Sequence, residues 1–284
     1  MPAQIIKGLP VANAIREELI PKVKALVEKG VQPKLAVVLA GGDEASRVYA
    51  QAKEKVGDKL GIKVELHVRP DDVTQDALLA LVDQLNSDPK VHGILVELPL
   101  PKHIQKELVM NRLDPKKDVD GVHPVNRGYL LGGQEHLALV PATPLSCIEL
   151  IQRSGVDLKG RRVTLVGRGD TVGRPLASLL IKRDATITVC HTKTVDMGSI
   201  TKAAEIVVAA AGSPGLVKAS MLSPGQTVID AGINQVGESI VGDVEPAAAE
   251  VVAFLTPVPG GVGSLTTSII MSNLLKAVSL QGLG

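Results

Sequence analysis

The chain has 284 residues, with 31 Lys plus Arg against 30 Asp plus Glu, so its formal net charge is +1. This balance provides no overall positive field for a polyanion, which excludes a general nucleic-acid-binding protein. Hydrophobic residues make up 45% of the chain and charged residues 21%, and these values exclude a disordered chain. No apolar run approaches the roughly 18 residues that a membrane span requires, and no signal peptide precedes the first helix. We expect a soluble, cytoplasmic protein.

Cys147 and Cys190 are far apart, and the chain has no C-x-x-C pair. This spacing argues against a disulfide framework or a zinc site, and it suits a reducing cytosol. We expect no metal.

The first half of the chain alternates helical and strand patterns. The patterns predict helices over 11–28, 44–60 and 74–86, and strands over 35–42, 62–68 and 92–101. In the first helix, Ile15, Leu19, Val23 and Val27 share one face. Gly61 ends the second helix and Thr74 is an N-cap for the third. The alternation indicates parallel strands joined by helical crossovers.

The alternation stops over 114–144, a segment rich in Pro, Gly and Asp, and then resumes. Loops of this length in a compact chain are usually functional segments or linkers. Beyond this segment, the patterns predict helices over 144–154, 172–182, 198–204 and 264–280, and strands over 162–167, 185–191, 205–212 and 226–233. The fold class is therefore α/β, with two domains joined near residue 140.

A glycine-rich turn joins the strand over 162–167 to the helix that follows it, with Gly167, Gly169 and Gly173 in the turn. Glycines allow the backbone to turn tightly and to approach a pyrophosphate, which the helix N-terminus then binds. The G-x-G-x-x-x-G spacing is one residue longer than the common fingerprint. The alternative is a tight turn that binds nothing.

The end of the next strand bears on the choice of cofactor. An acidic residue there would hold the ribose 2′-hydroxyl of NAD, but this strand ends in Cys190, His191, Thr192 and Lys193. Arg168 in the glycine-rich turn could also bind a 2′-phosphate. These residues favour NADP, although His191 could equally be a solvated strand-end residue.

Tyr49 and Lys53 are four residues apart in the second helix and therefore project from one face. Such a pair can orient and protonate a reacting group. The alternative is a surface tyrosine covered by the lysine stem. A short-chain dehydrogenase is excluded, because it would need the glycine-rich turn before the tyrosine.

Several further segments occur in a fixed order along the chain. They are GILVELPLP (93–101), KDVDGVHPVN (117–126), PATP (141–144), VGRGDTVGRP (166–175), CHTKT (190–194), DAGIN (230–234), GDV (242–244) and TPVPGGVGSLT (256–266). Together they resemble the bifunctional methylenetetrahydrofolate dehydrogenase/methenyltetrahydrofolate cyclohydrolase family, and the resemblance covers nearly the whole chain.

The resemblance implies a role for particular residues. Lys53 matches the catalytic lysine, Tyr49 the tyrosine that lies against the folate, and Asp120 the carboxylate that binds the pterin ring. The turn over 257–263 matches the segment beside the substrate and contains Pro259, Gly260 and Gly261. The residues that match cofactor contacts are Gly167, Arg168, Gly169, Thr192 and Ile233.

The resemblance also implies an architecture. We expect an N-terminal α/β substrate domain over 1–140, with the C-terminal helix over 265–284 packing back on it, and an NADP-binding Rossmann domain over 141–264. The active cleft would lie between them. The protein would be a homodimer that acts on one-carbon derivatives of tetrahydrofolate, in the metabolism that supplies purine biosynthesis.

The sequence departs from the family pattern at several positions. Glu97 replaces the usual Gln, and Gly169 replaces a frequent Ser whose hydroxyl could bind a phosphate. The remaining departures are Thr192 for Ser, Ser264-Leu265 for Pro-Met and Ala142 for Cys. In the family arrangement the side chain at 97 faces the catalytic lysine, where a carboxylate would favour the charged ammonium. The alternative is that Glu97 is solvated and turned away from Lys53.

The predicted function is NADP-dependent oxidation of 5,10-methylenetetrahydrofolate, followed by hydrolysis of the methenyl product to 10-formyltetrahydrofolate. Lys53, Tyr49, Glu97 and Asp120 are the predicted catalytic residues. Two alternatives remain. One is an NADP-dependent dehydrogenase of another small substrate, and the other is a folate- or nucleotide-binding protein with impaired cyclohydrolase activity.

Overall fold

The structure is a computed structural model that describes residues 2–41 and 44–284, except the side chains of residues 44–49. The described helices α1 to α9 are Gly8–Glu28, Glu44–Leu60, Gln75–Ser87, Lys106–Arg112, Pro124–Leu131, Ala142–Arg153, Gly173–Lys182, Met197–Ala203 and Thr266–Leu280. The strands β1 to β11 are Gln4–Ile5, Lys34–Ala40, Lys63–Arg69, Gly93–Val96, Arg162–Val166, Thr186–Cys190, Ile206–Ala209, Thr227–Asp230, Asn234–Val236, Ser239–Val241 and Phe254–Leu255. Across the described ranges, we find no helix that combines the length and the apolar character needed to cross a bilayer.

The chain divides into two compact units, neither of which is continuous in sequence. The first-half unit comprises Ala14–Val140 and Thr267–Gly284, and the second-half unit comprises Met1–Asn13 and Pro141–Thr266. The prediction assigned residues 1–140 to one domain, but the first thirteen residues group with the second half of the chain. The reason is that β1 pairs in parallel with β11, as the edge strand of the second-half sheet.

The first-half unit contains a parallel sheet with the strand order β3-β2-β4. Residues 35–40 of β2 are all buried, as expected for a central strand of a parallel sheet. Beyond β4, the chain returns along the sheet edge, where Asp118 forms an isolated parallel bridge with Ile94. Lys117 O accepts from Ile94 N at 2.6 Å, and Ile94 O accepts from Val119 N at 3.3 Å. Residues 117–119 therefore extend this sheet past β4.

The second-half unit contains a parallel sheet with the strand order β1-β11-β8-β7-β5-β6, and a separate hairpin of β9 and β10. Every residue of β7 and β8 is buried, which fits strands covered on both faces. β5 lies between β6 and β7, so the chain reverses its direction of travel across the sheet at β5. In doubly wound sheets, ligands bind outside the carboxyl ends of the strands at such a reversal.

The long predicted helices are present within about three residues of their predicted ends, but several short elements were not predicted. The segment over 114–144, predicted to be irregular, contains α5, which begins at Pro124 with His123 as its N-cap. The pattern also missed α4, the strands β1 and β11, and the β9–β10 hairpin. These elements are eight residues or shorter, too short for a hydrophobic period to repeat.

Candidate active site

A buried ion pair lies at the carboxyl edge of the first-half sheet. Glu97 directly follows β4, and its Oε1 lies 2.7 Å from Lys53 Nζ in α2. The lysine side chain is 9% exposed and the glutamate side chain 20%. A lysine is seldom buried to this extent unless it is paired or functional. Glu97 is therefore not the solvated residue that the sequence left open.

The helix α2 carries Lys53 on its buried face. Ala50, Lys53, Gly57 and Leu60 are all buried and recur at helical spacing. Gly57 lies so close to β3 that an added Cβ would be 2.5 Å from a methyl carbon of Val64. The lysine is therefore held by a helix that packs directly on the sheet. Lys53 itself is therefore not a surface residue. The side chain of Tyr49, the predicted partner of Lys53, lies outside the described residues.

Asp120 comes to the same sheet edge through the strand-like segment 117–119. Asp118 is level with Ile94 of β4, and the chain then turns, with Gly121 N donating to Asp118 O at 3.1 Å, so Asp120 lies in a turn directly after this bridge. Asp120 is partly buried and makes polar interactions. The fold thus brings three predicted residues, Lys53, Glu97 and Asp120, to one edge of one sheet.

Asp118 stabilises this loop by accepting hydrogen bonds from other residues close to it in the sequence. Its Oδ2 accepts from His123 N at 2.8 Å and from Asn126 Nδ2 at 2.9 Å. Asn126 Nδ2 also donates to Pro115 O at 2.9 Å. Desolvation raises the pKa of the Asp118 carboxyl above its ordinary value, although these hydrogen bonds oppose the shift. Asp118 therefore shapes the loop that carries Asp120.

The glycine-rich turn in the second-half unit has the geometry that a dinucleotide requires. Gly167 has φ +119°, and an added Cβ would collide with the backbone of Ala210. At Gly173 a Cβ would lie 2.5 Å from Gly167 O, whereas at Gly169 it would meet no described atom within 4 Å. The outer glycines thus allow the strand and the helix to pack closely, and the middle one leaves an open backbone surface.

The start of α7 completes this phosphate-binding arrangement. Its N-cap is Val172, which makes no side-chain cap hydrogen bond. Arg174 N already donates to Gly169 O at 3.0 Å and Pro175 has no N–H, so this helix end offers a phosphate mainly its positive dipole end. The residues present therefore fit a nicotinamide dinucleotide, with Gly167, Arg168, Gly169 and Gly173 at its pyrophosphate.

The other predicted cofactor and substrate residues of this unit follow the carboxyl ends of strands in the same sheet. Thr192 is exposed just after β6, and Ile233 is 65% exposed just after β8. Pro259, Gly260 and Gly261 follow β11, with the first two exposed and the third buried. Parallel strands bring their carboxyl ends to one sheet edge, so these residues share the edge with the glycine-rich turn.

Two buried aspartates, Asp230 and Asp243, bind backbone N–H groups at that edge. Neither was predicted from the sequence to have a role. Asp243 accepts from the backbone N–H groups of Ala211, Gly212 and Ser213 at 2.6–2.9 Å. Asp230 accepts from the backbone of Asp243 at 3.0 Å, and burial raises the pKa of the Asp230 carboxyl. The DAGIN and GDV segments are the sequence signal for this pair, since each places an Asp among small residues after or beside a strand.

The two cysteines take no part in either sheet edge's chemistry. Cys147 is fully buried, and burial raises the pKa of its thiol to about 12. Cys190 is also buried, and its thiol pKa is raised. Within the described ranges, no group of three or more His, Cys, Asp or Glu is arranged to hold a metal ion.

A chain that combines a Rossmann-type sheet and its glycine-rich turn with an α/β unit containing a buried lysine–carboxylate pair belongs to the class of nicotinamide-dependent α/β enzymes. Residues 6–120 match the catalytic domain of the tetrahydrofolate dehydrogenase/cyclohydrolase family, and residues 141–282 match its NAD(P)-binding domain. The chain belongs to this family. The predicted family, the α/β fold class and the pair of activities are thereby confirmed.

Named relatives and solved structures resemble the chain over its full length. It is 54% identical over 280 residues to bifunctional protein FolD 2 of Desulfitobacterium hafniense, covering 98% of each chain. It is 55% identical to bifunctional protein FolD of Heliobacterium modesticaldum, covering 99% of this chain and 98% of the relative.

Two solved structures share its fold closely. The bifunctional FolD enzyme of Campylobacter jejuni has a TM-score of 0.94 and 39% identity, covering 98% of this chain and 99% of the other. The Trypanosoma brucei enzyme, complexed with NADP and an inhibitor, has a TM-score of 0.93 and 38% identity over 99% of each chain. The expected nicotinamide cofactor is confirmed.

Proposed function

We propose that the protein oxidises 5,10-methylenetetrahydrofolate with NADP and hydrolyses the methenyl product to 10-formyltetrahydrofolate, with Lys53 as the catalytic residue of the hydrolysis. The observation that carries this proposal is the buried Lys53–Glu97 pair at the sheet edge to which Asp120 also comes. A buried amine beside a ligand-reading carboxylate is what a folate ring with a reactive one-carbon bridge requires.

The first-half unit binds the folate in this proposal. Asp120 binds the pterin ring, Tyr49 lies against the folate, and Lys53 reaches the one-carbon bridge. Pro259, Gly260 and Gly261 are further substrate-binding residues in this proposal. The exposed Pro259–Gly260 backbone supports this role, because a glycine lets a flat ligand approach the main chain.

The second-half unit binds NADP. Gly167, Gly169 and Gly173 hold the pyrophosphate, Arg168 and Thr192 contact the phosphate of the adenosine ribose, and Ile233 contacts the cofactor. When bound, NADP supplies the nicotinamide that accepts a hydride from the methylene carbon. For this step the protein's contribution is the orientation of the two reactants.

The hydrolysis uses the residues of the first-half unit. A water oxygen bonds to the methenyl carbon, the bond between that carbon and N5 breaks, and N10 retains the formyl group. One proton is released over the whole step. Lys53 lies where it can hold or transfer that proton, and Glu97 fixes the position of the lysine amine.

The Lys53→Met variant tests the proposal. We expect cyclohydrolase activity to fall about 10²–10⁴-fold, the usual contribution of a proton-transfer group, while NADPH binding is retained. Lys55→Met is the matched control, because Lys55 is exposed on the same helix. The double variant Lys53→Met/Glu97→Gln shows whether a loss arises from the unpaired carboxylate. Near-normal hydrolysis in both Lys53 variants would refute the assignment.

One observation favours a second candidate, a dehydrogenase whose cyclohydrolase step is weak. Glu97 Oε1 lies 2.7 Å from Lys53 Nζ, so the lysine amine is paired with a carboxylate at the position where the family pattern has a neutral Gln. The absorbance of methenyltetrahydrofolate during turnover distinguishes the two cases. The intermediate accumulates if the cyclohydrolase step is weak, and it does not accumulate if the two steps have similar rates.

We further propose that the enzyme works in the cytoplasm as a homodimer and supplies one-carbon units for purine biosynthesis. The near-neutral charge supports small-molecule partners rather than nucleic acid. Light scattering after size exclusion tests the dimer, for which a mass of twice 29.7 kDa is expected.

A further inference from the structure

The last helix reaches the loop that carries Asp120 through one buried amide. Asn273 of α9 is 3% exposed, and its Nδ2 donates to Val119 O at 2.8 Å and to Val140 O at 2.7 Å. Val119 immediately precedes Asp120, and Val140 is the last residue before the chain leaves the first-half unit. The Asn273 side chain therefore hydrogen-bonds two backbone carbonyl groups whose residues are 21 positions apart in the sequence.

Close packing makes this contact difficult to replace. An added Cβ at Gly93 would collide with a methyl of Val119 and would lie 2.7 Å from Leu274 Cδ1. β4, the segment 117–119 and α9 thus meet at Gly93 with no spare volume. Met271, Leu274 and Val278 of α9 are fully buried, so the helix itself is firmly anchored.

We infer that Asn273 is a positioning residue that sets the affinity for the folate substrate by holding Asp120 in place. The inference rests on the proposed function, in which Asp120 binds the pterin ring. An amide suits the position because its two N–H groups satisfy two carbonyls at once, and a buried carbonyl left without a donor is unstable. The loop would then shift to find other partners.

Other hydrogen bonds fix the residues that precede Val119, so the position of Asp120 is most sensitive to contacts made by Val119. Lys117 Nζ donates to Asn86 O and Asp88 O at 2.6 and 2.8 Å, and Asn126 holds Asp118. These contacts fix the loop before Asp120. Val119 N also donates to Ile94 O at 3.3 Å, and Gly121 N donates to Asp118 O at 3.1 Å. The Asn273 bond is to the carbonyl of the peptide that joins Val119 to Asp120, so its loss shifts that peptide directly.

The variants Asn273→Leu and Asn273→Ser test the inference. Leu keeps the branching at Cγ and removes both donors but is larger than Asn, while Ser is smaller, retains one donor and keeps the test open if the Leu variant does not fold. We expect the KM for methylenetetrahydrofolate to rise about tenfold in Asn273→Leu and less in Asn273→Ser. The KM for NADP should change less than twofold. The affinity for NADPH, measured by cofactor fluorescence, should also change less than twofold.

Ser268→Ala is the matched control for a merely loosened helix. Ser268 is buried in α9 and accepts from Arg16 Nε at 2.8 Å, away from the 117–121 loop. The Ser268→Ala variant should have a lower thermal stability and an unchanged KM for the folate. If Ser268→Ala raises this KM as much as Asn273→Leu, the effect is structural and the inference is wrong.

A double-mutant cycle with Asp120→Asn separates the inference from the proposed function. If Asn273 acts through Asp120, Asn273→Leu adds nothing to the folate KM in the Asp120→Asn background. Additive effects overturn the inference alone. If Asp120→Asn leaves the folate KM unchanged, the proposed role of Asp120 fails, and the inference fails with it.

Discussion

At the scale of single residues, the Lys53–Glu97 contact determines how the amine can act. The carboxylate Oε1 is 2.7 Å from Nζ, and both side chains are largely shielded from water. Opposite charges at this distance stabilise each other, and shielding strengthens the effect. An amine held in its charged form can orient substrate, but it must lose a proton before it can act as a base.

Replacing Glu97 by Gln should therefore accelerate the hydrolysis. A neutral amide can still hydrogen-bond Lys53 but does not favour its charge. We expect the cyclohydrolase rate of Glu97→Gln at pH 7 to exceed that of the unmodified enzyme several-fold, because the lysine amine is then released from its ion pair. The dehydrogenase rate should change less, because hydride transfer from that carbon needs no base.

Glu65→Gln is a suitable control for this prediction. Glu65 pairs with Lys34 at 2.5 Å in the same unit, near the amino ends of β2 and β3. Its removal should leave both rates unchanged. Equal cyclohydrolase rates for Glu97→Gln and the unmodified enzyme would mean that the carboxylate does not govern the reactivity of Lys53.

We expect Arg168 to determine the preference between NADP and NAD. It is exposed in the glycine-rich turn, and the neighbouring strand β6 ends in Cys190 without a carboxylate that would repel a 2′-phosphate. Guanidinium binds phosphate in a bidentate manner, so Arg168→Ala should weaken NADP binding about tenfold and NAD binding little.

Competition titrations of the two cofactors measure this effect. Arg174→Ala, an exposed arginine in the first turn of α7 that pairs with Asp170 at 3.7 Å, is the control. Equal losses for NAD and NADP in Arg168→Ala would show that this arginine does not distinguish the 2′-phosphate.

At the scale of elements, the loop over 114–122 depends on a buried acid. Burial raises the pKa of Asp118 in the folded protein, whereas in the unfolded chain it titrates near its ordinary value of about 3.9. A folded-state pKa above the unfolded value means that stability is highest at low pH and falls as the pH rises through the interval between the two values.

Asp118→Asn removes this pH dependence. The amide oxygen can still accept from His123 N and Asn126 Nδ2, while the buried charge is absent. The quantity to follow is the free energy of unfolding of the original protein minus that of Asp118→Asn. We expect this difference to fall as the pH rises above about 4. Denaturant unfolding from pH 3.5 to 8 measures it, with the exposed Asp72→Asn as control. A constant difference would contradict the prediction.

The sequence predicted long elements well and contacts between distant segments poorly. The helix α2 was predicted with its bounds, because seventeen residues contain several turns of hydrophobic period. Along α1, Ile15, Leu19 and Val23 are buried as predicted, but Val27 is 44% exposed because the helix extends past its packing partners. Lys53 and Glu97 were paired by resemblance alone. Asn273 could not be found, since its partners are backbone carbonyls 133 and 154 residues away.

At the scale of the whole molecule, each unit depends on a segment from far along the chain. The first-half unit includes Thr267–Gly284, and Ile269, Met271, Leu274 and Val278 of that segment are buried. Removing this helix would expose the apolar surface that it covers in the first-half unit. The second-half unit contains none of these residues.

Deleting residues 267–284 should therefore unfold the two units unequally. We expect hydrogen exchange to lose protection in β2 and β4, while β5, β7 and β8 remain protected. NADPH binding should persist and folate-dependent activity should be lost. A deletion of residues 282–284 is the control, since these residues are exposed. Equal loss of protection in both sheets would show that the units do not unfold separately.

The pairing of β1 with β11 also constrains the order in which the protein can fold during its synthesis. Phe254 and Leu255, the partners of Gln4 and Ile5, are synthesised about 250 residues later. At ordinary elongation rates of about 5–20 residues per second, β1 therefore waits more than ten seconds for its neighbouring strand. During that interval the backbone hydrogen-bonding groups of β1 have no strand partner and are open to other binders.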